Sequence, residues 1–222
     1  MRGRARLISC LLAIVSVLVF ASATAGASPW LSLRQHGVGA VSAHIGCTDN
    51  GDGTASCETE VLQVFQGTVK VTGDPTLHGQ QVCYEKLSVT FDADSSLVID
   101  GHGLFGCALD TGTIRTRQLS SVVLARTSLE VVELSCDASG CDSEQTRTVV
   151  VSAKWTGVGR TIPSRGHFRL DEGGCLDIES TQGRAREARF TGIADGVSIA
   201  SDMSVVAAGN FRLRTSCLGP EL

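Results

Sequence analysis

Asp100 and His102 stand two apart in Ile99-Asp-Gly-His-Gly, so on a strand they share a face. A carboxylate beside an imidazole is the orienting part of a hydrolytic triad. The nucleophile has no marker: the chain carries neither a G-x-S-x-G elbow nor an H-E-x-x-H zinc helix. A polar, exposed hairpin arm is the plainer reading of the pair. The run Asp49-Asn50-Gly51-Asp52-Gly53-Thr54 invites a calcium loop. Setting Asn50 and Asp52 at the third and fifth positions puts Thr48 first and Thr59 twelfth, where carboxylates are needed, so a tight turn explains the same letters.

Arginines supply another candidate. Arg184, Arg186 and Arg189, around Glu187, lie near a strand, and Arg212 and Arg214 lie on the last strand. If those strands are neighbours the five form a basic cluster suited to an anionic ligand. A solvated strand face that blocks edge-to-edge pairing is the competing reading. Arg160 and Arg165 are the residues that a protease inhibitor would present on a rigid loop. Aromatic platforms for carbohydrate are few: Trp155 falls on an apolar strand face and reads as core, which leaves Trp30 and Tyr84. His36, His44, His78 and His167 have no partners at diagnostic spacing and read as surface residues. No catalytic, cofactor-binding or metal-binding residue is assigned, and no cofactor is expected.

Nine cysteines are present, and Cys10 lies in an N-terminal segment expected to be removed. Cys47, Cys57, Cys83, Cys107, Cys136, Cys141, Cys175 and Cys217 remain, an even set that predicts four disulfides in an oxidising compartment. Metal binding fits less well, because only Cys136 and Cys141 approach a zinc-knuckle spacing and no second knuckle accompanies them. Residues equidistant from a hairpin turn face each other. The midpoint of Cys47 and Cys57 is Asp52, and that of Cys83 and Cys107 is Ser95. Cys136 and Cys141 flank Asp137-Ala-Ser-Gly140. These three pairs are therefore expected across hairpins, and Cys175 with Cys217 follows by elimination.

The elements that carry these residues read as strands. Val149, Val151, Ala153 and Trp155 alternate with Thr148, Ser152 and Lys154, the period of a half-buried strand. Cys83, Leu87, Val89 and Phe91 alternate with Tyr84, Lys86, Ser88 and Thr90. Phe211, Leu213 and Thr215 alternate with Arg212, Arg214 and Ser216. Turn dipeptides recur at Asn50-Gly51, Asp52-Gly53, Gly173-Gly174 and Asp195-Gly196. The expectation is an all-β, disulfide-stabilised, antiparallel sandwich or barrel. It is organised as two similar small modules, 46–135 and 136–222, or as one domain, 46–222. Residues 28–45 show no clean period and read as a linker.

Arg2, Arg4 and Arg6, an apolar run from Leu7 to Ala21 and small residues to Ala27 make a secretory signal over 1–27. Removing it takes a formal charge of −4 over 222 residues to −7, from 16 basic and 23 acidic side chains. That balance argues against a nucleic-acid partner, and no membrane anchor is expected after cleavage. The functional expectation is an extracellular, non-catalytic binding or structural protein whose partner is unknown, an extracellular protein being one option. A secreted hydrolase using Asp100 and His102, a protease inhibitor, and a carrier with an apolar lumen are the alternatives.

Overall fold

The structure is a computed structural model that describes residues 31–71, 77–92, 94, 98–109, 111–137, 140–172 and 175–217. Residues 1–27, read above as an export signal, and Trp30 lie outside these. The strands are β1 (Leu31–Asp49), β2 (Thr54–Val71), β3 (Leu77–Asp92), β4 (Val98–Leu109), β5 (Ile114–Arg117), β6 (Ser121–Asp137), β7 (Gly140–Gly157), β8 (Ile162–Glu172), β9 (Cys175–Ala194), β10 (Val197–Ser198) and β11 (Met203–Cys217). Neighbours along the path β9-β11-β1-β2-β3-β4-β6-β7 are hydrogen-bonded and antiparallel. β7 then pairs with β9 and closes the ring, Trp155 opposite Phe190. The all-β fold is thus an eight-stranded barrel, and closure of this kind removes most of the exposed sheet edge.

Closure corrects two expectations. Residues 31–45 are not a linker: they lie in β1, which is hydrogen-bonded to β2 on one side and to the last strand, β11, on the other. The N- and C-terminal strands complete one wall, and the 135/136 boundary falls inside β6, so the sheet does not divide into two modules.

The core is the inward side of the wall. Ala40 on β1, Leu62 and Val64 on β2, Val82 and Tyr84 on β3, Leu129 and Val131 on β6 and Val206 on β11 are buried at alternate positions. Val149, Val151, Ala153 and Trp155 of β7 join them, as their period predicts, and Ile114 and Ile199 close in from short segments. Trp155 is fully buried with its ring 5.1 Å from that of Phe190. These side chains make one contiguous cluster, so the lumen is filled by the protein's own residues, unlike the ligand-lined lumen of the carrier alternative. On β3 the sequence favours the face of Cys83, Leu87 and Val89 as core. The structure turns the Tyr84 face inward, because Val82 and Tyr84 belong to the cluster and Cys83 bridges to β4 outside.

Cys47 is bonded to Cys57 across the β1–β2 hairpin and Cys83 to Cys107 across β3–β4, each with Cα atoms 4.1 Å apart. Both are register partners directly opposite one another. Cys136 is also disulfide-bonded, and its register partner in the β6–β7 hairpin is Cys141. Cys175 and Cys217 are register partners of β9 and β11. These bridges fit an oxidising environment.

A row of glycines crosses five strands in register: Gly79, Gly67, Gly37, Gly209 and Gly183. A Cβ on Gly37 would stand 2.3 Å from the Gln66 carbonyl oxygen, and one on Gly209 would stand 2.4 Å from that of Gln182. Backbones this close admit only glycine, the usual device for bending a sheet sharply at a barrel wall. Beyond the row, β1, β2, β8, β9 and β11 continue past the packed core as an overhanging wall.

Candidate functional site

Each strand alternates its side chains between the two faces of the wall, so register assigns residues beyond the core to the same inward side. At one end of the barrel, that side is polar and self-satisfied. Tyr84 Oη donates to Glu60 Oε1 at 2.6 Å, and the Ala200 backbone N–H donates to Glu60 Oε2 at 2.8 Å. Glu60 is only 7% exposed. Burial, and the Glu60 carboxylate accepting its hydrogen bond, hold the Tyr84 phenol well above the usual phenol range. The hydroxyls of Ser42, Ser201 and Ser204 close a triangle with sides of 2.6, 2.8 and 2.8 Å. His44 Nδ1 lies 2.6 Å from Asp202 Oδ2, and the Asp202 N–H donates to the Ala43 carbonyl. Residues 199–202 therefore form a strap, with Ile199 in the core and its next three residues tied to β1 and β2. Arg147 joins β7 to β6 and to the β9–β10 turn by ion pairs with Glu133 (2.7 Å) and Asp195 (3.3 Å). Every one of these groups is occupied by a partner on the chain, which makes the cluster a structural closure. Sequence reading missed it because Ser42, Glu60, Tyr84 and Ser201 lie far apart in the chain and on four different segments.

Asp100 and His102 do share a face of β4, with His102 Nε2 3.6 Å from Asp100 Oδ1. Their side chains are 65% and 70% exposed. Ser88 on β3 and Ser135 on β6 are the register partners of His102, but no hydrogen bond joins either hydroxyl to the imidazole among the described residues. A triad base has to be aligned on its nucleophile and oriented by its acid, and this solvated pair is neither.

The Asp49–Thr54 run is the β1–β2 turn. Asp49 Oδ1 accepts the Gly51 N–H, and Asp52 Oδ1 accepts both the N–H and the hydroxyl of Thr54. Gly51 and Gly53 take the left-handed backbone (φ 76° and 86°). Hydrogen bonds from the Thr54 hydroxyl and then its backbone lower the Asp52 pKa. The carboxylates serve the turn, and among the described residues no group of three or more acidic, His or Cys side chains is arranged to hold a metal ion. Arg165 lies within β8 opposite Gln182, rather than on a loop, and Arg160 is in the short connection before β8.

The opposite end carries the basic cluster, larger than the sequence suggests. β9 and β11 are neighbours, as the cluster requires, and β1, β2 and β8 extend it. Lys70, Arg34, Arg212, Ser180 and His167 form one row of register partners across five strands. The row below holds Thr68, His36, Asn210, Gln182 and Arg165; the row above holds Ser32, Arg214, Ile178 and Arg169. Arg184 and Arg186 continue the face toward the buried Val206. Lys70, Arg34, Arg212, Arg165, Arg169, Arg184 and Arg186, seven Lys and Arg residues, thus share the inward side of these strands. Arg189 does not belong: it sits at an odd position of β9, opposite Thr156, on the outer face.

The side chains of Arg34, Lys70, Arg165, Arg169 and Arg184 are exposed. The ion pairs among the described residues are those of His44, His102 and Arg147, and these five take part in none of them. Arg186 Nε donates to the Gly159 carbonyl at 3.0 Å, and His36 Nδ1 meets Asn210 Oδ1 at 2.6 Å. What the arrangement offers chemically is a field of N–H donors and positive charge, with amide and hydroxyl groups between. The pairing of β1 with β11 creates it, and nothing local in the sequence signals that pairing.

Compared with protein-family models, curated proteins and solved structures, the chain gives no match.

Proposed function

We propose that the protein is an exported, non-catalytic binding protein whose working surface is the basic inward face of β8, β9, β11, β1 and β2, and that its ligand is an anion. The observation that carries this reading is the gathering of seven described cations onto one face, in a chain whose formal charge is −4. Like charges directly opposite one another in a sheet are destabilising, and Lys70 and Arg34 are such neighbours. Protection of a sheet edge accounts for cations on β8, which pairs only with β9. It does not account for Arg34, whose strand is paired on both sides. An anion bound at Arg34 and Lys70 removes that repulsion.

Ion-exchange behaviour tests this directly. A protein of net negative charge passes through a sulfonate column at pH 7 unless one face binds it. Retention of the wild type is expected, with loss of retention in the Arg34→Ser/Arg169→Ser variant. Retention must persist in Arg115→Ser/Arg189→Ser, which removes the same charge elsewhere. Wild type in the flow-through, or equal retention of both variants, refutes the assignment of the face.

A further inference from the structure

We infer that the ligand of this face is a linear acidic polysaccharide, a glycan chain bearing carboxylate or sulfate groups; the inference rests on the binding function proposed above. Three features of the face select this class. First, its charges are spread and do not converge. Neighbouring strands lie about 5 Å apart and same-face positions along a strand about 7 Å apart, so the row from Lys70 to His167 covers about 19 Å. A single small anion is held by donors that point at one centre. Cations repeated at strand spacing match an anion whose charges repeat along a chain.

Second, the positions between the cations carry Thr68, Asn210, Gln182 and Ser180. Amides and hydroxyls both donate and accept, which suits sugar hydroxyls. The register rows place no Phe, Tyr or Trp among them, and single-stranded nucleic acid is held by aromatic stacking as much as by charge.

Third, most of the face lies on the parts of β8, β9, β11, β1 and β2 that continue past the glycine row. Arg34, Lys70, Arg165, Arg169 and Arg184 are exposed and are the side chains such a chain would contact.

Heparin fragments of increasing length are the probe, titrated against the full-length secreted protein by calorimetry, alongside a DNA duplex and vesicles containing phosphatidylglycerol. Heparin is expected to bind, more tightly as the fragment lengthens until it spans the row, and more weakly as salt rises. An exposed ion pair is worth about two- to three-fold in affinity. The Arg34→Ser/Lys70→Ser/Arg165→Ser/Arg169→Ser variant should therefore bind about 30-fold more weakly. The four side chains are exposed, so near-UV circular dichroism should show the variant folded, and the Arg→Lys version should recover most of the binding. If DNA or the vesicles bind through this face and heparin does not, the glycan assignment is overturned while the binding function stands. If heparin affinity does not change with fragment length, a single-anion site replaces the extended one and the inference fails. If no anion binds better to the wild type than to the variant, both fail.

Discussion

Replacing Tyr84 with Phe removes one hydroxyl and little volume from the strap end of the barrel. The hydroxyl is one of two donors to Glu60; the other is the Ala200 N–H. Glu60 is buried, so water cannot easily replace the lost donor. A hydrogen bond to a charged group contributes roughly 1.5–3 kcal/mol, and leaving a buried acceptor short of a partner lies at the upper part of that range. A destabilisation of about 2 kcal/mol in a domain of this size lowers Tm by about 4–8 °C. Thermal unfolding at pH 7, followed by fluorescence of the buried Trp155, reads this. The pH dependence adds a second readout with a definite sign. The folded phenol is held above its ordinary value by burial and by Glu60, whereas the unfolded phenol ionises near pH 10. Below about pH 9 both states keep the proton and the contribution of Tyr84 is constant. As pH rises through the unfolded value, only the unfolded chain releases its proton, so the wild type loses stability toward alkaline pH. Tyr84→Phe lacks that component. Tyr84 is the only tyrosine, so ultraviolet absorbance titrates it without interference from another phenol. A variant that unfolds within 1 °C of the wild type (the ~4–8 °C shift being the expectation), or a wild-type phenol that ionises at the ordinary value, refutes the buried Tyr84–Glu60 bond and with it the anchoring of the strap.

Trp155→Ala should cost about 3–5 kcal/mol in urea unfolding, because the fully buried indole and its contact with Phe190 are both lost; a cost below ~1 kcal/mol would mean that the lumen is not packed as described. Gly37→Ala should destabilise by about 1–3 kcal/mol, since its Cβ meets backbone at 2.3 Å and the neighbouring strand has to move; Gly51→Ala, with open space around it but φ +76°, separates the cost of backbone conformation from that of close approach. Replacing Cys83 and Cys107 together with Ser should lower stability by about 3 kcal/mol, and slightly more than replacing Cys47 and Cys57, because the bridge closes 24 residues rather than 10; the two double variants are compared under identical denaturant. His102→Ala should leave stability and heparin affinity unchanged, since its side chain is exposed and it lies on β4, outside the five strands of the basic face; loss of binding in that variant would move the site.

Local signals in the sequence are sufficient for β7 and for the hairpins closed by paired cysteines, though not for the first part of β1. Alternation in β7 identifies Val149, Val151, Ala153 and Trp155 as core because a strand has only two faces, and packing requires the apolar one inside. The turn letters at 49–54 and the equal distances of Cys47 and Cys57, and of Cys83 and Cys107, from their turns locate partners because a hairpin's register follows from its own turn. Those arguments all act between residues close in the chain. The pairing of β1 with β11 joins residues about 170 apart, and no local periodicity in 31–45 announces it, since Gly37, Gly39 and Ala40 satisfy a tight wall without an apolar stripe. Ring closure then decided which face was inside. On β11 the sequence pattern makes Phe211 and Leu213 the natural inward residues, yet continuity with the buried Val206 puts Arg212 on the inner side. The Arg184–Arg214 cluster was visible as a condition on strand order, and only tertiary structure could meet that condition and add Arg34, Lys70, Arg165 and Arg169. Charge carries no directional information along the chain: a cation at one position is compatible with any neighbour until the barrel has closed and set its row.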